Sequence, residues 1–348
     1  MLYSILKPLI FSLSPELAHE LALSVARLAP FLGKLSGAPP DERLSLKVGS
    51  LNWKSPIGLA AGLDKNAEAL DFFSHQGFGS LECGTITLRP QLGNPKPRLF
   101  RYPSEASLRN SMGFPNEGLL HIAPKLESFE RLLPLGANIG KNKDSSPLES
   151  IEELSVIMAT LEDDVDYFAI NVSSPNTPGL RALQEKSYLT DLFKELKATS
   201  KKDLYLKIAP DLEEIKVIEL TELAAEHKLT GLIATNTTIM PEKGIGGVSG
   251  ELLREKARKI RKLILDQNLP LELIGVGGMT HFQDILDFWN DGGKAIQLYT
   301  AYVYQGPDLL KIMNRDMLQF LNQKNLKDLN SFFELDLKTR RELLNQPK

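Results

Sequence analysis

Residues 167–180 read YFAINVSSPNTPGL. A short apolar run ends abruptly in small hydroxyl and amide side chains, interrupted by Pro175 and Pro178. An apolar run of this length, stopped by turn formers, reads as a buried strand delivering its end into a loop. Asn171, Ser173, Ser174, Asn176 and Thr177 can donate and accept hydrogen bonds there, but none is charged or strongly basic. A base at this strand end must then be a hydroxyl. Such a group is weak unless it is buried and joined to a relay.

The same grammar repeats on both sides of the stretch. Strand-like runs at 57–61, 80–84, 135–139, 167–173, 204–209, 231–235, 273–276 and 295–299 alternate with helical patterns. The helical patterns fall at 66–76, 147–163, 183–199, 212–227, 252–266, 281–291 and 307–320. Strict alternation predicts a parallel sheet, and eight units predict a closed (β/α)8 TIM barrel. Polar or glycine-rich clusters follow nearly every strand, which favours closure over an open doubly wound sheet. Residues 87–114, with RPQLGNPKPRLFRYP at 89–103, read as a hairpin and loop inserted over the barrel mouth. The chain thus divides into an N-terminal helical extension (1–40), a barrel (41–322) and a charged tail (323–348). The tail has a possible short helix near 332–344, reads as a surface appendage and carries no assigned role.

Composition excludes several function classes. Across 348 residues, 41 Lys and Arg oppose 44 Asp and Glu, so no global field points to nucleic acid. The single Cys83 excludes an intrachain disulfide, and its setting, SLECGT, predicts a buried, inert thiol. Five scattered histidines without metal-ligand spacing argue against a zinc or iron site. No run of about 18 uncharged apolar residues is present to span a membrane, and no cleavable signal peptide is seen. Residues 1–35 are nevertheless crowded with apolar side chains. Ser14, Pro15 and Glu16 open a helix in which Leu17, Leu21, Val25 and Leu28 recur at helical spacing. A pair of helices packed on the core accounts for this, and so does a pair lying apolar face down in a membrane interface.

In a barrel of this kind the site lies at the C-terminal strand ends. Here those ends are AAGLDK (60–65), CGT (83–85), NIGKN (138–142), residues 171–177, LKIAP (206–210), ATNTT (234–238), GVGG (275–278) and QLYT (297–300). Gly275, Gly277 and Gly278, ahead of Thr280 and a helix, are placed to aim backbone N–H groups at a phosphate. Tyr299 and Thr300 stand beside them, and Gly246, Gly247, Ser249 and Gly250 form a second glycine loop. Lys207 inside an apolar strand is costly unless its charge is compensated, so it reads as functional or as a structural ion pair. Asn110, Asn138, Asn171, Asn176 and Asn236, with Thr235 and Thr237, suit a flat heterocycle with alternating C=O and N–H edges. No His–Asp or paired-carboxylate arrangement supports hydrolysis.

LAAGLDKN, NSMGF, NIGKNK, INVSSPNTPGLR, LKIAPDL, ATNTT, GGVSG, IGVGG and QLYTA, in this order, resemble the dihydroorotate dehydrogenase family up to about residue 322. The resemblance implies an FMN-containing barrel that oxidises dihydroorotate to orotate in pyrimidine biosynthesis. Ser174 in place of cysteine, and the N-terminal extension, are similar to the quinone-dependent class. The resemblance makes Ser174 the base that removes the C5 proton, with Thr177 and Phe114 shaping its proton path. Lys65, Asn110, Ser111, Met112, Gly113, Phe114, Asn171, Asn176, Asn236 and Thr237 match substrate contacts. Ala61, Gly62, Leu63, Asp64, Lys65, Thr85, Asn138, Asn171, Lys207, Thr235, Gly250, Gly278, Tyr299 and Thr300 match FMN contacts. His19, Arg101 and Tyr299 match a quinone tunnel. Ser111 stands where a basic residue is common, and Thr300 replaces a common serine. The class implies a monomer held peripherally, through its N-terminal helices, on the cytoplasmic face of the inner membrane of a bacterial source. Two other readings compete: an FMN barrel using fumarate, NAD or a protein partner, and a flavin-free aldolase or isomerase with Lys207 as Schiff-base former.

Overall fold

The computed structural model describes residues 2–176 and 185–346, so Thr177, Pro178 and the start of the expected 183–199 helix lie outside the described residues. Eight parallel strands form the barrel: β1 (Ile57–Leu59), β2 (Leu81–Ile86), β3 (Leu135–Ile139), β4 (Tyr167–Asn171), β5 (Asp203–Ile208), β6 (Gly231–Ala234), β7 (Glu272–Val276) and β8 (Ala295–Leu298). Neighbours pair in the order β1-β8-β7-β6-β5-β4-β3-β2. A parallel bridge between Gly58 and Ser80 closes the ring. β2, β3 and β4 are buried at every position. Strands covered on both faces need no polar alternation, which is why their sequences read as unbroken apolar runs.

The expected strands at 57–61, 167–173, 204–209, 231–235 and 295–299 stop one or two residues early, where the chain turns into the mouth. The expected 66–76 helix shrinks to Leu70–Ser74. The Asp64 carboxylate accepts the backbone N–H groups of Glu68 and Ala69, both at 2.8 Å, and holds the preceding stretch in a turn. A helix not anticipated from sequence, Leu119–Glu127, follows the insertion and buries Leu119, Ile122 and Leu126.

The insertion forms the expected hairpin, Leu99–Tyr102 against Ser107–Asn110. It gains two further strands, Gly247–Gly250 and Thr238–Ile239, making a four-stranded sheet over the mouth. The stretch Gly247–Gly250 is therefore a strand, not a loop. Gly250, at φ 93°, comes so close to its neighbour that an added Cβ would lie 2.4 Å from the Ala106 carbonyl oxygen.

A short hairpin, Leu46–Val48 with Leu51–Trp53, packs Leu46, Val48 and Trp53 with the barrel-interior residues Tyr167, Tyr205 and Ile274. Residues 323–346 are more than the expected surface appendage. Their helices Leu329–Glu334 and Leu337–Asn345 dock on the barrel, with the fully buried Phe332 ring 5.5 Å from those of both Trp289 and Phe320.

At the other end of the chain, α1 (Leu2–Ser12) and α2 (Pro15–Leu28) form the expected pair. Small residues mediate the docking: Ala18 and Ala26 are buried. In the short helix that follows, Gly33 approaches so closely that an added Cβ would sit 2.5 Å from the Phe72 carbonyl oxygen. The stripe Leu17, Leu21, Val25 and Leu28 faces away from the barrel and is exposed. Among the described residues no helix is long and apolar enough to cross a membrane.

Candidate active site at the barrel mouth

One cavity collects the strand ends. It is lined by Ala61, Gly62 and Lys65 after β1, Thr85 in β2, Asn171, Ser174 and Asn176 at and after β4, and Lys207 in β5. Thr235, Asn236 and Thr237 follow β6, Gly277 and Gly278 follow β7, and Tyr299 and Thr300 follow β8. The insertion contributes Asn110, Met112, Gly113 and Phe114, the cap sheet contributes Gly250, and α2 contributes His19. Residues distant in sequence thus share one wall.

Ser174 is buried, and its Oγ accepts the backbone N–H of Asn176 at 3.2 Å. The amides interlock around it. Asn176 Nδ2 donates to Asn110 Oδ1 at 3.0 Å, and Asn236 Nδ2 donates to Ser173 Oγ at 3.0 Å. Asn171 Nδ2 donates to Thr85 Oγ1 at 3.0 Å and to Asn138 Oδ1 at 3.2 Å. Because each amide is oriented by another, the cavity presents fixed donors and acceptors without a mobile charge. Asn138 lies beneath this layer and does not reach the cavity surface. Its Nδ2 donates to Glu82 Oε1 at 2.9 Å and its Oδ1 accepts from Thr85 Oγ1 at 2.6 Å.

The sequence reading overlooked Glu82. Its fully buried carboxylate in β2 accepts hydrogen bonds from Asn138, Tyr167 and Gln297, and lies 3.7 Å from Lys207 Nζ. A buried lysine inside a strand requires such a partner. Lys207 therefore forms the structural ion pair and also lines the cavity. The signal available was a glutamate in the otherwise apolar run LECGT, facing a lysine in LKIA. Cys83, next to Glu82, is fully buried, and burial pushes its thiol far above the ordinary range. It lies outside the cavity wall.

The remaining titratable groups are shaped by burial. Burial, with the nearby Arg98 charge, lowers Lys65 to about 8, opposed by Asp64 and Glu16. Its Nζ donates to the Gly62 carbonyl at 2.6 Å. Burial and the Lys65 charge bring His19 down to about 3, so its imidazole is neutral near pH 7. Burial raises Tyr299 to about 12.

Some expected contacts stand elsewhere. Leu63 is in the core, and Asp64 is a buried turn-former bonded to backbone, so neither lines the cavity. Ser111 stays behind the wall, offering its carbonyl to Asn94 Nδ2 at 3.0 Å. Arg101 points instead at α1: its guanidinium stacks 4.5 Å from the Phe11 ring centroid and donates to the Phe11 carbonyl at 3.0 Å. Gly275 is not part of an anion cradle, since an added Cβ would meet the Phe288 ring at 3.0 Å; it allows close helix packing on β7. Gly277 and Gly278, at φ 95° and 72°, do form the turn facing the cavity. Thr280 Oγ1 is committed to Glu251 at 2.6 Å.

A second cavity, between α2 and the insertion, shares His19, Lys65 and Met112 with the first. Leu99, Leu108, Leu253 and Met279, none of them singled out from sequence, give the main cavity its apolar wall.

The family model described as "Dihydroorotate dehydrogenase" matches residues 43–321. A Sulfurimonas denitrificans protein, "Dihydroorotate dehydrogenase (quinone)", is 38% identical over 97% of this chain and 99% of its own. A Myxococcus xanthus protein of the same name is 41% identical over 89% of this chain and 91% of its own. The solved structure of DHODH from Eimeria tenella in complex with ferulenol superposes with a TM-score of 0.84 at 32% identity, covering 95% of this chain and 99% of that one. With the family model matching residues 43–321 and full-length relatives aligned over most of the chain, the chain belongs to the dihydroorotate dehydrogenase family.

Proposed function

We propose that this chain oxidises dihydroorotate to orotate, a step of pyrimidine biosynthesis, with FMN as the resident cofactor and a membrane quinone as final acceptor. The cavity suits a flavin phosphate and ring. Gly277 and Gly278 leave backbone exposed where a phosphate approaches, and Lys207 offers a cation beside the amides. Thr235 Oγ1, fully buried, has no hydrogen-bond partner among the described residues and is free to bind a ligand. Ala61, Gly62, Thr85, Asn171, Gly250, Tyr299 and Thr300 complete the holding set, with Asn138 acting from beneath. Bound there, FMN would supply the acceptor for the hydride from C6 of the substrate.

The chain supplies the rest. Lys65 and the amides Asn110, Asn171, Asn176 and Asn236, with Thr237, hold the pyrimidine and its carboxylate. Ser174 Oγ takes the C5 proton. A buried hydroxyl becomes a competent base only when its own proton can leave, and we assign that exit to Phe114, in the same cavity wall, together with Thr177 from its motif position alone. The positive charge of Lys207 stabilises negative charge developing on the acceptor ring.

The observation that carries the assignment is the joint placement of Ser174, two lysines and four amides in a cavity whose outer edge is α2. The outward stripe of α1 and α2 fits peripheral attachment to the cytoplasmic face of a bacterial inner membrane. His19, neutral and shared between the two cavities, and Tyr299 line the route we assign to an apolar acceptor. The test is turnover with alternative acceptors. The proposal requires dihydroorotate-dependent quinone reduction; reduction of fumarate or NAD without quinone turnover contradicts it.

A further inference from the structure

Asn94, in the insertion between β2 and β3, lies outside the cavity wall yet touches both loops that form its substrate side. Its backbone N–H donates to the Met112 carbonyl at 2.9 Å. Its Nδ2 donates to the Ser111 carbonyl at 3.0 Å and to the Asn176 carbonyl at 3.0 Å. Its own carbonyl accepts from Arg98 Nη1 at 3.1 Å, and its Oδ1 lies 3.4 Å from Lys143 Nζ. Two glycines make room for it. A Cβ on Gly113 would lie 2.8 Å from Asn94 Nδ2, and one on Gly93 would lie 2.4 Å from the Met112 oxygen. Arg98 is buried and carries the linkage onward: its Nε donates to Glu16 Oε1 on α2 at 2.8 Å, while its carbonyl accepts the Ser111 N–H at 2.8 Å.

We infer that Asn94 is a positioning residue for the substrate, clasping the Asn110–Met112 and Ser174–Asn176 loops to each other and, through Arg98 and Glu16, to α2. One amide group spans two loops that share no strand pairing. Its loss leaves the pair Asn110–Asn176, and Ser174 two residues before the clasped carbonyl, without a common anchor. The helix that faces the quinone side is thereby joined to the loops that face dihydroorotate.

This inference rests on the proposed activity, and the test separates the two. Orotate binding to the flavin-loaded protein is titrated by the change in the flavin spectrum. Asn94→Ala and Asn94→Asp each remove both amide donors, and the second keeps the side chain's size. With unchanged flavin content and melting temperature, each is expected to weaken orotate binding and raise the KM for dihydroorotate by about tenfold, the loss of two hydrogen bonds. The KM for quinone should stay within about twofold. Glu16→Gln, measured well below pH 8 so that Lys65 stays charged in both proteins, is expected to weaken orotate binding by a smaller factor. Combined with Asn94→Ala it should add less than the product of the two, since both cut one chain of contacts. Orotate affinity within twofold of wild type in both folded Asn94 variants overturns the clasp, and so does a Glu16→Gln effect that multiplies independently. Failure of the wild type to bind orotate overturns the activity and this inference together.

Discussion

The barrel strands and the N-terminal helices are built from similarly apolar sequence but dispose of it in opposite ways. Phe168, Ile170, Leu206 and Ile208 are wholly buried, whereas Ile5, Leu9 and Leu28 are 74%, 68% and 77% exposed. The α2 helix meets the barrel through Ala18, Ala26 and the partly buried Leu23, and leaves Leu17, Leu21 and Leu28 exposed. Burial of apolar surface stabilises by about 25 cal/mol per Å2, so a strand's leucines contribute to folding while those of α1 and α2 remain available to another apolar phase. The same residue types therefore hold the barrel together in one region and lie exposed in the other. The cavity lies between these two regions.

Substitutions should separate them. The largest effect is expected in the core: Phe168→Ala should cost about 3–5 kcal/mol, read by denaturant unfolding. Lys207→Ala leaves the Glu82 carboxylate buried without its cation and should cost about as much, roughly 3–5 kcal/mol, with loss of flavin retention. Near-wild-type stability in that variant would mean that water or Tyr167 compensates the charge. A smaller effect is expected with pH. Lys65 is held at about 8, below its ordinary value, so it is charged below that pH and loses its attraction for the substrate carboxylate above it. The kcat/KM for dihydroorotate should fall by up to about tenfold per pH unit beyond that point, and the Lys65→Gln profile should lack this step. A wild-type profile flat to pH 10 would contradict the role. The smallest stability change is expected outside: Leu21→Ser with Val25→Ser should shift folding by less than about 0.5 kcal/mol per site while reducing sedimentation with anionic lipid vesicles. A core-sized loss of stability there would erase the contrast between the two regions.

How much could be read from the sequence follows the same division. The eight strands were legible because parallel strands buried on both faces become uninterrupted apolar runs, bounded by the polar residues of the mouth. The cavity wall was legible because Lys65, Lys207, Ser174 and the amides sit at strand ends or in the insertion, where a barrel places its chemistry. Partners across the barrel were not legible. Glu82 and Lys207 are far apart in the chain, and only closure of the ring brings them to 3.7 Å. The cap sheet escaped notice because Gly247–Gly250 pairs with Ser107–Asn110 of a separate insertion, and four residues rich in glycine carry no strand signal. The orientation of α2 was equally hidden, since its helical spacing gives the stripe but not the side it faces. Asp64 and Arg101 were misplaced for a related reason: motif position does not reveal whether a side chain turns toward the cavity or toward its own backbone or a neighbouring helix.

The central claim, that a hydroxyl at the end of β4 performs the proton abstraction, is tested most directly by mixing dihydroorotate anaerobically with the flavin-loaded protein and following the bleaching of the flavin. Wild type should bleach, and quinone should restore the colour. Ser174→Ala should retain its flavin yet bleach about 10²–10⁴-fold more slowly. Bleaching of Ser174→Ala at the wild-type rate near neutral pH would contradict the account.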